Sequence, residues 1–267
     1  MHVIAVINHK GGVAKTTTSV NLAAALAEAG RRILLVDLDA QASSSLWLGH
    51  RTNGLKFLQA LVEGEGFAGL VQATQAGFDL VPTGPAFASF EKVVGNDAEA
   101  QTRLRNALAG LPEDRWDYIL IDCPPSLNLS SINALVAATN AIVPVTAKAL
   151  SLEPLVRLLD TMWQVRERLN PQLELTGMFA SQLDQRNAHG AEVLKLLRQQ
   201  FGEFVYTAFV RENVHLAEAA GFHKPVTQYA PTSNGAEDYR ALAREFEERM
   251  RTPRSAPLPP VRLPRRG

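Results

Sequence analysis

Apolar residues fall into short runs separated by stretches with helical spacing. Residues 3–7 form one such run, and residues 16–29 carry small and apolar side chains at helical intervals, with Gly30 placed to end the helix. Residues 31–37 form a second run, and its continuous apolar character predicts a strand buried on both faces. These three segments predict a βαβ unit.

The same alternation continues along the chain. Helical stretches at residues 98–108 and 153–169 separate further apolar runs, and residues 236–250 predict a charged amphipathic helix. Strands separated by helices are typical of an α/β fold with a doubly wound, mostly parallel sheet flanked by helices. The further strands are predicted at residues 78–81, 118–122, 141–145, 175–179 and 204–209.

Composition narrows the class of protein. The 267 residues are 46% hydrophobic and 20% charged, which suits a single globular domain. Cys123 is the only cysteine, so the sequence offers no internal disulfide, and we expect a cytoplasmic protein. No stretch approaches the roughly 20 apolar residues of a membrane-spanning helix, so we expect no membrane partner.

The composition changes after residue 250. Residues 251–267 contain five arginines, five prolines and no acid, while residues 1–250 hold 27 acidic and 22 basic side chains. We therefore expect one globular domain at 1–250 and a disordered Pro/Arg-rich tail at 251–267. A solvated tail without a partner and an auxiliary DNA contact are both open interpretations.

A candidate phosphate loop joins the first strand to the first helix, where backbone N–H groups converge on an anion. Two glycines permit close approach of phosphate oxygens, Lys15 is placed to reach the β and γ phosphates, and the Thr16 hydroxyl is placed to bind Mg²⁺. The predicted nucleotide-binding residues are Lys10, Gly11, Gly12, Val13, Ala14, Lys15, Thr16 and Thr17.

The loop departs from the standard GxxxxGK[ST] pattern. His9 replaces the first glycine of that pattern, and Ala14 replaces the glycine before the lysine. The segment instead matches the deviant form KGGxxK[ST], which begins at Lys10. A glycine turn with two solvated lysines is the alternative interpretation. A dinucleotide fold is disfavoured because its GxGxxG fingerprint is absent.

Carboxylates end two of the predicted strands. Asp37 and Asp39 follow the second apolar run, and Asp122 ends the run at residues 118–122. Parallel strands bring these positions to the edge of the sheet that carries the phosphate loop. Carboxylates at that edge can bind a metal ion and orient water. The alternative for Asp122 is a core aspartate that caps the next helix.

With these motifs in order, the chain resembles the ParA branch of the ParA/MinD deviant-Walker ATPases from residue 2 to about residue 250. Relatives of the MinD kind end in an amphipathic membrane helix, which the proline-rich tail disfavours, and nitrogenase iron proteins need paired cysteines. The matching segments are KGGVAKTT (10–17), VDLDAQ (36–41), IDCPPSL (121–127), VPVTAKALSLEPL (143–155), HLAEAAGFHKPV (215–226) and YAPTSNGAEDY (229–239).

The resemblance implies an ATPase with ATP and Mg²⁺ as cofactors that forms a sandwich homodimer when ATP is bound. Lys10 would reach the partner's phosphates, and with Lys15 and Asp39 it forms the implied catalytic set, in which Asp39 orients the attacking water. Thr16 and Asp122 would serve the metal, and Asp37 would give structural support. Two residues depart from the family pattern: Ala14 replaces a usual glycine and Ala40 a frequent proline.

The resemblance also implies non-specific binding to double-stranded DNA, since no helix-turn-helix segment precedes the first strand. Arg186 matches a basic family position, whereas His215 stands where arginine is usual and weakens that contact at neutral pH. The side chains that could compensate are Lys195, Arg198, Lys224 and Arg244, although a solvated surface charge is the more common role for each.

Together these features predict an ATP-dependent partition protein that acts on the nucleoid, segregates chromosome or plasmid DNA, and is released when a ParB-like partner stimulates slow hydrolysis. An ATP-gated scaffold with little turnover is the alternative. A third interpretation keeps the ATPase and replaces the DNA cargo with a protein cluster positioned over the nucleoid.

Overall fold

One parallel sheet organises the part of the chain that the structure describes. The computed structural model describes residues 1–146, 152–184 and 188–252, so Arg186, the predicted tail beyond Thr252 and part of the 143–155 motif lie outside it. Within these ranges seven strands pair in the order β3, β4, β2, β5, β1, β6, β7, with β3 antiparallel. The strands are β1 (His2–Val6), β2 (Ile33–Asp37), β3 (Gln72–Ala73), β4 (Asp79–Val81), β5 (Tyr118–Asp122), β6 (Asn140–Thr146) and β7 (Glu174–Ser181).

Helices cover both faces of this sheet. Helices α3 to α8 pack into one apolar core, and α1, α2, α9, α10 and α11 pack into a second core on the opposite face. Their bounds are α1 (Lys15–Glu28), α2 (Ser43–Trp47), α3 (Leu55–Glu63), α4 (Phe90–Val94), α5 (Arg103–Ala109), α6 (Leu129–Ala137), α7 (Glu153–Arg168), α8 (Ala188–Phe201), α9 (Val214–Gly221), α10 (Val226–Tyr229) and α11 (Asn234–Arg251).

The strand sequences explain why there are two cores. Successive side chains of a strand point to opposite faces, so Val3 and Ala5 enter the first core while Ile4 and Val6 enter the second. All four are buried, as the continuous apolar run at residues 3–7 predicts. The predicted doubly wound, mostly parallel α/β fold is confirmed.

The prediction of a strand at residues 204–209 is wrong. Only Val205 forms an isolated bridge, with Met178, and the residues before it form a short 3-10 helix. The amides of Thr207 and Ala208 donate instead to the Glu245 carboxylate of α11, at 2.9 and 2.7 Å. Tyr206 N and Val210 N still donate to the Met178 and Ala180 carbonyls of β7, both at 2.8 Å, so the segment touches β7 at two points and the donors between them bond to α11.

Two helices begin two or more residues away from their predicted starts. The helix expected at 98–108 begins only at Arg103, because residues 98–102 form turns. The helix expected at 236–250 begins at Asn234, after Ser233 accepts a hydrogen bond from Ala236 N, and it continues through Arg251. Among the described helices, none combines the length and apolar character needed to cross a membrane.

Gly177 occupies the tightest position in β7. Its φ is +147°, and a Cβ there would lie 2.5 Å from the Phe204 carbonyl oxygen and 2.6 Å from the Arg249 guanidinium. That guanidinium stacks over the Tyr206 ring at 3.9 Å and donates to the Thr176 carbonyl. The close packing of β7 against α11 therefore requires glycine at this position.

We expect Gly177→Ala to lower the free energy of unfolding by roughly 2–4 kcal/mol, since backbone strain adds to overpacking. Urea denaturation followed by circular dichroism measures the loss. Gly69→Ala is the matched control, because a Cβ at Gly69 meets no atom within 4 Å. Equal midpoints for the two variants would contradict the packing argument.

Candidate nucleotide-binding site

The loop between β1 and α1 is held by two neighbouring strands and by a bond of its own. Asn8 donates from Nδ2 to the Pro144 carbonyl of β6 at 2.9 Å and accepts from Lys10 N at 3.1 Å. Ser181 of β7 donates from Oγ to the Val13 carbonyl at 3.1 Å. The loop is thus fixed to β6 and β7 before any ligand arrives, as a preorganised anion site requires.

The tip of the loop has room for an anion. Gly12 has φ +74° and a Cβ there would meet nothing within 4 Å, while a Cβ at Gly11 would touch only Pro125, at 4.0 Å. Both glycines are exposed and directly precede the N-terminus of α1. An open cradle with free backbone donors at a helix N-terminus fits a phosphate group.

Ala14 keeps the left-handed conformation that glycine adopts easily. Its φ and ψ are 66° and 31°, and it immediately precedes α1. The loop therefore accepts the methyl group without changing its path, at a conformational cost of about 1–2 kcal/mol.

Lys15 is buried at the first position of α1. Its Nζ donates to the Lys10 carbonyl at 3.2 Å, which folds the side chain back along the loop. Burial lowers the pKa of this ammonium, and the nearby Asp122 carboxylate opposes that shift. A partly desolvated cation at this place is matched to phosphate oxygens.

Asp37 and Asp122 form a buried pair at the carboxyl ends of adjacent strands, where they are partners in the parallel register. Burial, and then the charge of Asp122, raises the pKa of Asp37 to about 7. Burial also raises the pKa of Asp122, although its hydrogen bonds and Lys15 favour the charged form. The pair concentrates negative charge directly behind the phosphate loop.

Hydroxyl groups surround this pair. Ser44 Oγ donates to Asp122 Oδ2 at 2.5 Å, Ser19 Oγ donates to Oδ1 at 2.9 Å, and the Thr16 hydroxyl also bonds the carboxylate. Thr16 and Asp122 lie close together at this edge of the sheet, and hydroxyl and carboxylate oxygens are the donors that Mg²⁺ prefers. This mixed set is the candidate magnesium site. Within the described residues, no group of three or more His, Cys, Asp or Glu is arranged to bind a metal.

Asp39 begins a tight turn between β2 and α2. Asp39 N donates to Asp37 Oδ1 at 3.2 Å, Gln41 N donates to Asp39 Oδ1 at 3.0 Å, and Ala42 N donates to the Asp39 carbonyl at 2.7 Å. These bonds close the turn with alanine at position 40. Asp37 has the supporting place in this arrangement, and Asp39 is partly exposed beside the loop.

Sequence reasoning did not assign the serines that bind the two aspartates. Ser45 donates to Asp37 Oδ2 from both N and Oγ, at 2.8 and 2.7 Å, and Ser44 and Ser19 bind Asp122. The available signal was the serine run at residues 43–45, directly after the acidic end of β2. Such a run beside buried carboxylates supplies donors that no apolar neighbour could provide.

The candidate DNA contacts that the structure describes lie on both faces of the sheet. Lys195 and Arg198 are exposed on α8, which packs in the first core. His215 lies on α9 in the second core, where its Nδ1 is 2.9 Å from Glu218 Oε2, and Lys224 is exposed just beyond that helix. Arg244 is exposed on α11, also on the second face, and the DNA role of these side chains stays a prediction.

The first strand of this parallel sheet leads into a loop with Gly11, Gly12, Lys15 and Thr16 at a helix N-terminus, beside aspartates from other strands. This arrangement defines a P-loop nucleoside triphosphatase. A family model described as an AAA domain matches residues 1–175. The chromosome-partitioning ATPase Soj of Thermus thermophilus is 43% identical over 250 residues, covering 92% of this chain and 96% of the relative.

Other relatives point to the same family. The chromosome partitioning protein ParA of Caulobacter vibrioides is 39% identical over 255 residues, which are 94% of this chain and 96% of the relative. A crystal structure of cobyrinic acid a,c-diamide synthase from Mycobacterium smegmatis with bound ADP and magnesium has a TM-score of 0.83 and 31% identity, covering 99% of this chain and 100% of that one. The chain belongs to the Soj/ParA family of chromosome-partitioning ATPases.

Ala14→Gly is expected to raise the free energy of unfolding by about 1 kcal/mol, because glycine removes the left-handed strain and this gain exceeds its entropy cost in the unfolded chain. Ala191→Gly, at an exposed position inside α8, is the matched control and is expected to lower stability by about 1 kcal/mol. Chemical denaturation measures both changes. Destabilisation at both positions would contradict the assigned strain.

Asp37 is expected to make the ligand-free protein less stable as pH rises from about 4 to 7. Its folded pKa of about 7 exceeds the ordinary 3.8, so the folded state holds more protons across this interval, and the stabilisation is lost as pH rises through the folded pKa. Asp37→Asn should flatten that part of the profile, measured by urea unfolding without Mg²⁺ or nucleotide.

Asp117→Asn is the control for this profile. Arg32 lowers the pKa of Asp117 to about 2, so Asp117 titrates below the interval and its removal should leave the slope between pH 4 and 7 unchanged. An equal slope in Asp37→Asn and the wild type would show that Asp37 does not titrate there.

Proposed function

We propose that this chain is the nucleotide switch of a DNA-partitioning system: it dimerises with ATP, binds DNA without sequence preference, and is released when a ParB-like partner stimulates hydrolysis. The chain is an ATPase with ATP and Mg²⁺ as its cofactors, in agreement with its family and with the ADP and magnesium bound by the Mycobacterium smegmatis structure.

The observation that carries the proposal is the meeting of Lys15, Thr16 and Asp122 at one edge of the sheet. Lys15 is buried with its ammonium group in the loop, and the Thr16 hydroxyl bonds the Asp122 carboxylate. Lys15 and the loop amides would hold the phosphates, while Thr16 and Asp122 would hold Mg²⁺. The bound metal would neutralise charge on the β and γ phosphates.

Asp39 is suited to orient water at this site. Its backbone and one carboxylate oxygen are fixed by the turn to α2, and the side chain is partly exposed next to the buried pair. A carboxylate held in this way can accept a proton or a hydrogen bond from a water molecule without first being ordered. We assign Asp39 that role in hydrolysis.

Lys10 supports the dimer step. It is partly exposed at the start of the loop, and Asn8 and Lys15 fix its backbone. In a sandwich dimer the Lys10 ammonium would contact the phosphates of the opposite subunit and stabilise their charge. ATP would then join the two subunits through its own phosphates.

The described candidates for DNA binding lie on two faces of one subunit. Lys195 and Arg198 lie on α8, and His215 is close to the Glu218 carboxylate. Dimerisation could combine faces from two subunits, and binding through phosphates would weaken steeply with salt. The proposed place of action is the nucleoid.

Lys15→Ala and Lys10→Ala separate nucleotide binding from dimerisation. We expect Lys15→Ala to reduce hydrolysis about 100-fold or more with loss of ATP binding, and Lys10→Ala to keep ATP affinity within about threefold while losing the ATP-dependent dimer. Phosphate release, calorimetry with ATP and Mg²⁺, and light scattering measure the three properties. Lys56→Ala, an exposed lysine on α3, is the control.

The same variants test the DNA step when binding to a DNA duplex is compared with ADP and ATP at two salt concentrations. Binding that needs ATP and Lys10 supports the dimer switch. DNA binding that is equal with ADP and ATP would overturn the switch, and hydrolysis unaffected by Lys15→Ala would overturn the ATPase site itself.

A further inference from the structure

Helix α2 connects the site to a segment on the second face. Its first residues bind the aspartate pair, through Ser44 to Asp122 and Ser45 to Asp37. Its last residue, Trp47, is buried and donates from Nε1 to the Lys224 carbonyl at 2.8 Å. A five-residue helix thus joins the buried carboxylates of Asp37 and Asp122 to residue 224 with hydrogen bonds at both ends.

His223 makes a second contact with the same helix end. Its Nδ1 lies 3.1 Å from the Leu46 carbonyl and 3.2 Å from the Trp47 carbonyl, so this nitrogen carries the proton and donates. The His223 backbone has φ 56°, an uncommon conformation for a side chain of this size. We call the contacts of Trp47 with Lys224 and of His223 with α2 the α2 clasp.

The segment that the α2 clasp holds is also attached to the phosphate loop's own helix. Val226 N donates to Asn21 Oδ1 at 2.7 Å, and Asn21 Nδ2 donates to the Thr17 carbonyl at 2.7 Å. Residues 223–226 are therefore bonded both to α1, which follows the phosphate loop, and to α2, which follows the Asp39 turn. A change in the spacing of α1 and α2 has to move or strain this segment.

The segment leads directly to an exposed aromatic surface. Phe222 is 62% exposed and stacks on Tyr229 at 4.9 Å between ring centres. Val214, the first residue of α9, is 64% exposed. Glu218 lies between them and accepts from Tyr229 Oη at 3.3 Å. We call Val214, Glu218, Phe222 and Tyr229 the α9–α10 surface.

We propose that Trp47 and His223 are positioning residues that couple the Asp39 turn to the α9–α10 surface, so that nucleotide at the phosphate loop changes the mobility of that surface. The coupling rests on the nucleotide switch proposed above and adds the route by which one described surface responds to it. Mg²⁺ held by Thr16 and Asp122 would compete with the Ser44 hydroxyl for the Asp122 carboxylate, and the Ser44 bond is one of the contacts that place α2. The clasp then transmits a shift of α2 to residues 223 and 224.

Trp47→Phe tests the coupling, since it keeps an aromatic ring in the core and removes the N–H donor. Amide hydrogen exchange at residues 222–229 is measured in the full chain without nucleotide, with ADP and Mg²⁺, and with ATP and Mg²⁺. In the wild type we expect nucleotide to change these exchange rates, and in Trp47→Phe we expect that change to shrink by about fivefold while ATP affinity is retained. Trp163→Phe, at a half-exposed tryptophan on α7, is the matched control.

His223→Asn is the second variant, because asparagine tolerates the left-handed backbone and is too short to repeat the imidazole contact. It is expected to uncouple the α9–α10 surface as Trp47→Phe does. ATP affinity measured on the same samples separates the two hypotheses. Absence of ATP binding in the wild type refutes the proposed function, whereas ATP binding with an equal exchange response in the wild type and both variants refutes the coupling.

Discussion

Parallel pairing of β2 and β5 places Asp37 directly beside Asp122, and much of the site depends on this contact between two acids. Neither carboxylate reaches solvent, so each needs donors from its surroundings. Ser44 and Ser45 supply them from α2, and Thr16 and Ser19 from α1. The positions of α1 and α2 at the edge of the sheet thus follow from the need to satisfy a buried pair of acids.

The cations of the loop fit the same electrostatic arrangement. Lys15 is buried close to Asp122, whose charge offsets part of the cost of desolvating the ammonium group. Lys10 stands further out and is not needed to balance the pair. The charge of Lys15 offsets that of Asp122 inside one subunit, whereas the charge of Lys10 is available to a negatively charged group from outside the subunit.

Much of the fold could be predicted because buried parallel strands have a distinctive apolar pattern, and residues 118–122 match β5 at both ends. Prediction failed at residues 204–209, where an apolar run is diverted by Glu245, a residue some 40 positions away that local pattern cannot reveal. At the site, the phosphate loop and its aspartates could be predicted because the spacing of their motifs is characteristic. The serine donors were missed because their role appears only when β2 and β5 are paired. The distribution of the basic side chains over two faces could not be predicted either, because it depends on which core each helix joins.

The alanine at position 14 also affects the breadth of the loop's conformational ensemble. A glycine there would sample both signs of φ in the absence of ligand, whereas alanine in its left-handed well has fewer neighbouring states of similar energy. Part of the ordering entropy that a flexible loop would lose on meeting phosphate is therefore already lost during folding. The methyl group therefore lowers the stability of the fold and narrows the range of loop conformations from which the ligand is bound.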